Sequence, residues 1–165
     1  MDSDEFRRAR EYAAWILLVA AAVPVFIGAW TLAGLSGGPV VSAGSIFGAA
    51  PTPPFWLRAE AAFSYLVAFN VTALPVAAVL LAALPGRQAV TVRRITLTAV
   101  IIQAIALALG LVAWVGILGK TGRWFNVTSA ADIAVAVAGL ILTNAVLRSL
   151  AAEPRIRPRV GARKR

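Results

Sequence analysis

The sequence contains no cysteine and no histidine. Without thiols there is no disulfide, no thiolate nucleophile, no cysteine-bound zinc and no cysteine-ligated iron–sulfur cluster. Without imidazole there is no histidine-ligated haem and no serine–histidine triad, and the usual imidazole metal sites are excluded. Charge is scarce too: 14% of the 165 residues are Asp, Glu, Lys or Arg, where a soluble domain carries about a quarter. No phosphate-cradling glycine loop, GxSxG elbow or helical pair of metal ligands occurs. Asp132, Glu60 and scattered hydroxyls are what remains for covalent chemistry. A non-catalytic chain without cofactor or metal is therefore the expectation.

What is abundant is apolar. Sixty per cent of the residues are hydrophobic, and mean hydropathy is +0.82. That composition argues against a water-soluble globule and a disordered chain alike. A helix needs about 20 apolar residues to cross a bilayer, and four stretches qualify: about 12–35, 61–84, 95–118 and 130–150. None carries Lys or Arg before its end, and none alternates as a membrane strand does. The expected fold is an all-α integral membrane protein, a four-transmembrane-helix bundle over 1–150. A basic tail, 151–165, has too few apolar groups to fold alone and is expected to be disordered. The first apolar run is too long for a signal peptide, and Ala20-Ala21-Ala22 falls in its middle, so it reads as an uncleaved anchor.

Basic residues set the orientation. Thirteen flank the N-terminus, the loop between spans two and three, and the C-terminus, against three (Arg58, Lys120, Arg123) on the other side. The asymmetry places both termini in the cytoplasm. Trp15 near the inner boundary and Trp30, Trp114 and Trp124 near the outer one agree with it. Arginine outnumbers lysine 14 to 2, and with abundant alanine this points to a GC-rich bacterial genome. A bacterial cytoplasmic membrane is the expected location.

Local signals mark boundaries. Asp2 with Glu5, and Ser129 with Asp132, have capping-box spacing. Thr52 before Pro53-Pro54 offers an early start to the second helix. Pro85-Gly86 and Glu153-Pro154 stop helices two and four. The loop 36–58, with Ile46-Phe47 and Phe55-Trp56, reads as interfacial anchoring or as a docking surface for a partner. Phe69-Asn70-Val71-Thr72 recurs as Phe125-Asn126-Val127-Thr128, but at unequal depth, so it is read as coincidence.

Polar groups at membrane depth are the default place to seek function. Asn70, Gln103 and Asn144 fall at depths that allow one hydrogen-bonded layer, either interhelical adhesive or part of a solute path. Pro24 and Pro75 fall near mid-depth and are candidate kinks. Ala130, Ala134 and Ala138, and Ala106 with Gly110, form small-residue stripes for close helix approach. Arg58, Glu60, Lys120, Arg123 and Asp132 form a candidate external charge cluster. Within it Asp132 is expected to fix the entrance of the fourth helix; the competing reading is a proton or cation site.

The tail holds six basic residues beyond Glu153, which fits attraction to anionic lipid. It has no aromatic residue for base stacking, so nucleic acid is not an expected partner. Two functions follow. One is an accessory, scaffold or assembly subunit, with membrane lipids and a membrane protein or a second copy as partners. The other is a small transporter or a lipid- or small-molecule-binding protein. A polar cavity at midplane distinguishes the second from the first.

Overall fold

The computed structural model describes residues 3–35, 53–83, 89–120 and 123–152. Among these residues all regular structure is helical: α1 (Ser3–Leu32), α2 (Phe55–Leu66), α3 (Phe69–Ala83), α4 (Ala89–Ile117) and α5 (Arg123–Ala152). α2 and α3 together make one span, Phe55–Ala83, so four helical spans are each long and apolar enough to cross a membrane. The Asp2 cap, Thr52, Ile46-Phe47, the Pro85-Gly86 turn, Glu153-Pro154 and the basic tail from 153 on lie outside the described residues, while positions 151 and 152 continue α5.

The helices begin earlier than hydropathy alone indicates, because a helix continues through charged turns that a hydropathy window discards. α2 starts directly after Pro54, whose φ of −58° is preset by its ring. Leu57 and Arg58 donate their backbone N–H groups to the Pro54 carbonyl at 3.1 and 3.3 Å. α4 takes in Arg93 and Arg94. α5 starts at Arg123, which corrects the expected entrance: Asp132 lies in the third turn, so Ser129 and Asp132 cap nothing.

α1 ends in a Schellman turn. Gly34, at φ +75°, donates to the Thr31 carbonyl, and Leu35 donates to that of Trp30.

Buried residues recur at three- and four-residue spacing, the signature of bundle packing. On α1 they are Ala14, Leu18, Ala21 and Val25; on α4 they are Val92, Ile95, Ala99, Gln103, Ala106, Ala113 and Ile117. The apolar core has two parts. One joins Val25, Phe63, Leu66, Val71 and Ala106; the other joins Leu18, Ala78, Val79, Ile95 and Ala99. Thr72 on α3 and Gln103 on α4 fall between the two in sequence and form a polar waist, with the buried Pro75 beside them.

The broken span α2–α3 is the hub. α1 packs on α2, α3 and α4, while α5 packs on α3 and α4. Each neighbour offers a glycine to a side chain of the broken span. A Cβ on Gly28 (α1) would stand 2.7 Å from Leu66 Cγ, and one on Gly110 (α4) would stand 2.6 Å from Val67 Cγ2. Phe55 and Thr72 fill the equivalent spaces over Gly116 (α4) and Gly139 (α5). Glycine therefore sets the helix separation here, as small residues do where backbones approach closely.

Candidate functional site

The central feature is the break at Val67-Ala68. Val67 donates back to the Phe63 carbonyl at 3.0 Å, and Val71 donates to that of Ala68 at 2.9 Å, so α2 closes and α3 restarts one turn on. A cavity of about 310 Å³ opens beside the break. Phe63, Val67, Ala68 and Phe69 give it apolar walls, while Glu60, Ser64, Thr128, Ser129 and Asp132 give it oxygen atoms. It lies between the broken span and α5, in the half of the bundle away from the chain termini.

Helix rise fixes the depth of its two acids. Counted from the middle of Phe55–Ala83, Glu60 lies about 13 Å toward that end; Asp132 lies about 9 Å from the middle of Asn126–Leu150. The half-thickness of a hydrocarbon core is about 15 Å. In a bilayer, a carboxylate at the position of Asp132 would cost free energy unless it faced polar groups or water. The cavity supplies both a polar wall and an opening.

The external charge cluster divides. Glu60 and Asp132 line the cavity. Arg58 turns away from it: its Nη1 donates to the Leu32 carbonyl at the end of α1 at 3.2 Å, and its guanidinium lies 5.8 Å from the Phe55 ring centroid. Arg58 thus caps the negative end of α1. Arg10 does the same at the opposite end of the bundle, donating to Leu81 of α3 at 3.3 Å beside the Phe6 ring. Lys120 is exposed after α4, and the Arg123 side chain lies outside the described residues.

The three amides are separated. Gln103 is 4% exposed and donates Nε2 to the Thr72 carbonyl of α3 at 3.3 Å. Its Oε1 is buried without a partner. Asn70 is exposed at the head of α3, and Asn144 is half-buried on α5. Thr143, beside Asn144, is buried and returns its hydroxyl to the Gly139 carbonyl at 2.8 Å. The waist therefore consists of Gln103, Thr72 and Thr143 rather than of three amides.

Pro24 lies inside α1 and Pro75 inside α3, and both helices continue through them. Gly28 meets Leu66 and Arg10 meets Leu81, which puts Pro24 level with the break. Pro75 lies about 10 Å farther along by helix rise, so the prolines do not share a depth.

Of the small-residue stripes, Ala106 and Gly110 are buried against the hub, whereas Ala130, Ala134 and Ala138 face outward. Sequence reasoning passed over Ser64 and the break itself. No Gly or Pro stands at Val67-Ala68, so turn chemistry gave no signal there. A second groove, about 350 Å³, lies along Arg8, Glu11, Tyr12 and Trp15 on one face of α1. Among the described residues no three acidic side chains gather as a metal site would require. No family model matches the chain, and neither a curated protein nor a solved structure matches it.

Proposed function

We propose that the chain is a small, non-catalytic, multi-pass protein of a bacterial cytoplasmic membrane, with both termini inside, and that it binds a small molecule in the cavity beside the α2–α3 break. The observation that carries this reading is the interruption of an otherwise continuous apolar span next to a cavity with two carboxylates. Broken helices at membrane depth are tolerated where they are buried in protein or line a cavity, and discontinuous helices commonly build solute sites. The volume lies at the lower end of small-molecule pockets. Thiol labelling tests the reading, since the chain has no cysteine of its own. Ala68→Cys should react with a membrane-impermeant maleimide from the outer side, as Thr121→Cys should. Reaction at Thr121→Cys with none at Ala68→Cys would show a closed packing bundle.

A second reading, an accessory, scaffold or assembly subunit, is supported by α5. Of its span 6% is buried, against 44% for the broken span, and its alanine stripe faces outward. On this reading the stripe meets a membrane protein or a second copy, and the basic tail meets anionic lipid. Copurification from the native membrane tests it: a stoichiometric partner lost on Ala134→Leu supports the subunit reading, and the absence of any partner removes it.

A further inference from the structure

We infer that the cavity between α2, α3 and α5 takes a small organic ammonium ion, held against Glu60 and Asp132. The inference rests on the reading of this cavity as a binding site and adds the chemical class of the ligand.

The sign of charge is the first argument. The chain carries a net charge of +9, yet both ionisable side chains lining the cavity are acids. Neither carboxylate has a hydrogen-bond or ion-pair partner among the described residues. The nearby Arg58 is already held by the Leu32 carbonyl and the Phe55 ring. The broken span contributes little net sign, because the negative end of α2 and the positive end of α3 meet at the same break. Within the cavity lining, the two carboxylates set the sign.

The second argument is hydrogen-bond polarity. The Ser64 hydroxyl donates its proton to the Ala61 carbonyl at 2.8 Å. Its lone pairs are therefore what it offers the cavity, and they suit a ligand that donates N–H bonds. Carboxylates offer only acceptors as well.

The third argument is size and wall chemistry. A cavity of about 310 Å³ far exceeds a bare metal ion and has room for an organic body. Phe63 and Phe69 add aromatic walls, which suit the hydrocarbon body of an organic cation.

The test uses the full chain in nanodiscs of zwitterionic lipid and three probes of similar shape: 2-phenylethylammonium, 2-phenylethanol and 3-phenylpropanoate. Calorimetry should show the ammonium binding at least tenfold more tightly than the other two. Asp132→Asn and Glu60→Gln should each weaken it at least tenfold without lowering the thermal midpoint, while Glu11→Gln on the other groove leaves it unchanged. Ala68→Leu fills the cavity without touching charge and should abolish binding; it decides the matter where a carboxamide variant does not fold. Equal binding of the ammonium and the alcohol, both lost on Ala68→Leu, overturns the ammonium class and keeps the cavity as a small-molecule site. Ammonium binding that survives Ala68→Leu places the site elsewhere and overturns the inference. Binding of none of the probes overturns it together with the cavity reading.

Discussion

Gln103 on α4 donates its amide nitrogen to the Thr72 carbonyl on α3, and Thr72 stands three residues before Pro75. Proline removes the N–H that would bond the Val71 carbonyl, and its ring crowds the preceding turn. In lipid, neighbouring helices re-satisfy the carbonyls so loosened. The carbonyl that loses its donor is Val71's; Gln103 bonds the next one, that of Thr72, and ties this turn of α3 to α4 at the waist between the two halves of the core. The carbonyl also fixes the amide orientation, since only the NH₂ group can face it. The opposite oxygen stays buried without a partner.

Gln103→Leu removes both a bond and an orphaned acceptor. Interhelical bonds in membranes average about 0.6 kcal/mol, so the loss should stay below about 1 kcal/mol. Pro75→Ala restores the donor to the Val71 carbonyl and tightens the turn that Gln103 braces through Thr72, so the cost of Gln103→Leu should shrink in that background. Reversible unfolding in mixed micelles, run as a double-mutant cycle, measures the coupling; strict additivity would show that Gln103 and Pro75 act independently.

The glycine spaces predict overpacking. Gly28→Ala places a methyl group 2.7 Å from Leu66 Cγ, and Leu66 is 1% exposed, with little room to yield. The expected cost is about 1–3 kcal/mol. Leu66→Ala alone should also destabilise, by cavity formation. The double variant should be more stable than the sum of the singles predicts.

The four apolar spans were legible because a hydrocarbon-spanning length of unbroken apolar sequence has few other uses. Their ends were less so. Arg93 and Arg94 sit inside α4, and Arg58 and Glu60 inside α2, because a helix extends past its apolar stretch at no cost to hydropathy. The candidate site was half visible. Glu60 and Asp132 stood out as acids near apolar runs, but only the fold shows that they share a cavity while Arg58 turns to Leu32. The break at Val67-Ala68 has no local signature. It goes with tertiary packing, with Leu66 seated over Gly28 and Val67 over Gly110. Gln103 was visible as a polar residue in an apolar run, yet its partner is a backbone carbonyl, which no side-chain pattern reveals.

Gly34 should resist substitution. Its φ of +75° disfavours a side chain by about 1–2 kcal/mol, and a Cβ there would meet the Arg58 guanidinium. Gly34→Ala should lower the thermal midpoint. Gly34→Ala combined with Arg58→Ala should recover the steric part of the loss but not the conformational part. Equal midpoints for Gly34→Ala and the parent chain would show that the turn rearranges freely.

The proposed orientation rests on charge placement. Cytoplasmic reporters should be active at both termini and near Gln88, and impermeant labels should reach sites near Ser45 and Thr121. Deleting Pro154–Arg165 should not invert the chain, since seven inner basic residues still exceed the three outer ones. Reporter activity that switches sides on truncation would make the tail the dominant signal.

Asp132→Asn separates two accounts of one acid by the sign of a stability change. A capping acid in the first turn of a helix stabilises it, and its neutralisation there would cost about 0.3–1 kcal/mol. α5 instead begins at Arg123, so Asp132 stands in the third turn, beyond the reach of the terminal N–H groups. Asp132 is exposed on α5 and opens onto the cavity. In a bilayer, about 9 Å from the span middle, a carboxylate there would still cost more than the neutral carboxamide that replaces it. The Asn variant should therefore be as stable as the parent chain or more stable, in nanodiscs, by thermal unfolding. Glu60→Gln, nearer the bilayer edge, should show the smaller gain. A lower midpoint for Asp132→Asn would mean that the carboxylate holds the folded chain together, and its place in the cavity would then be structural.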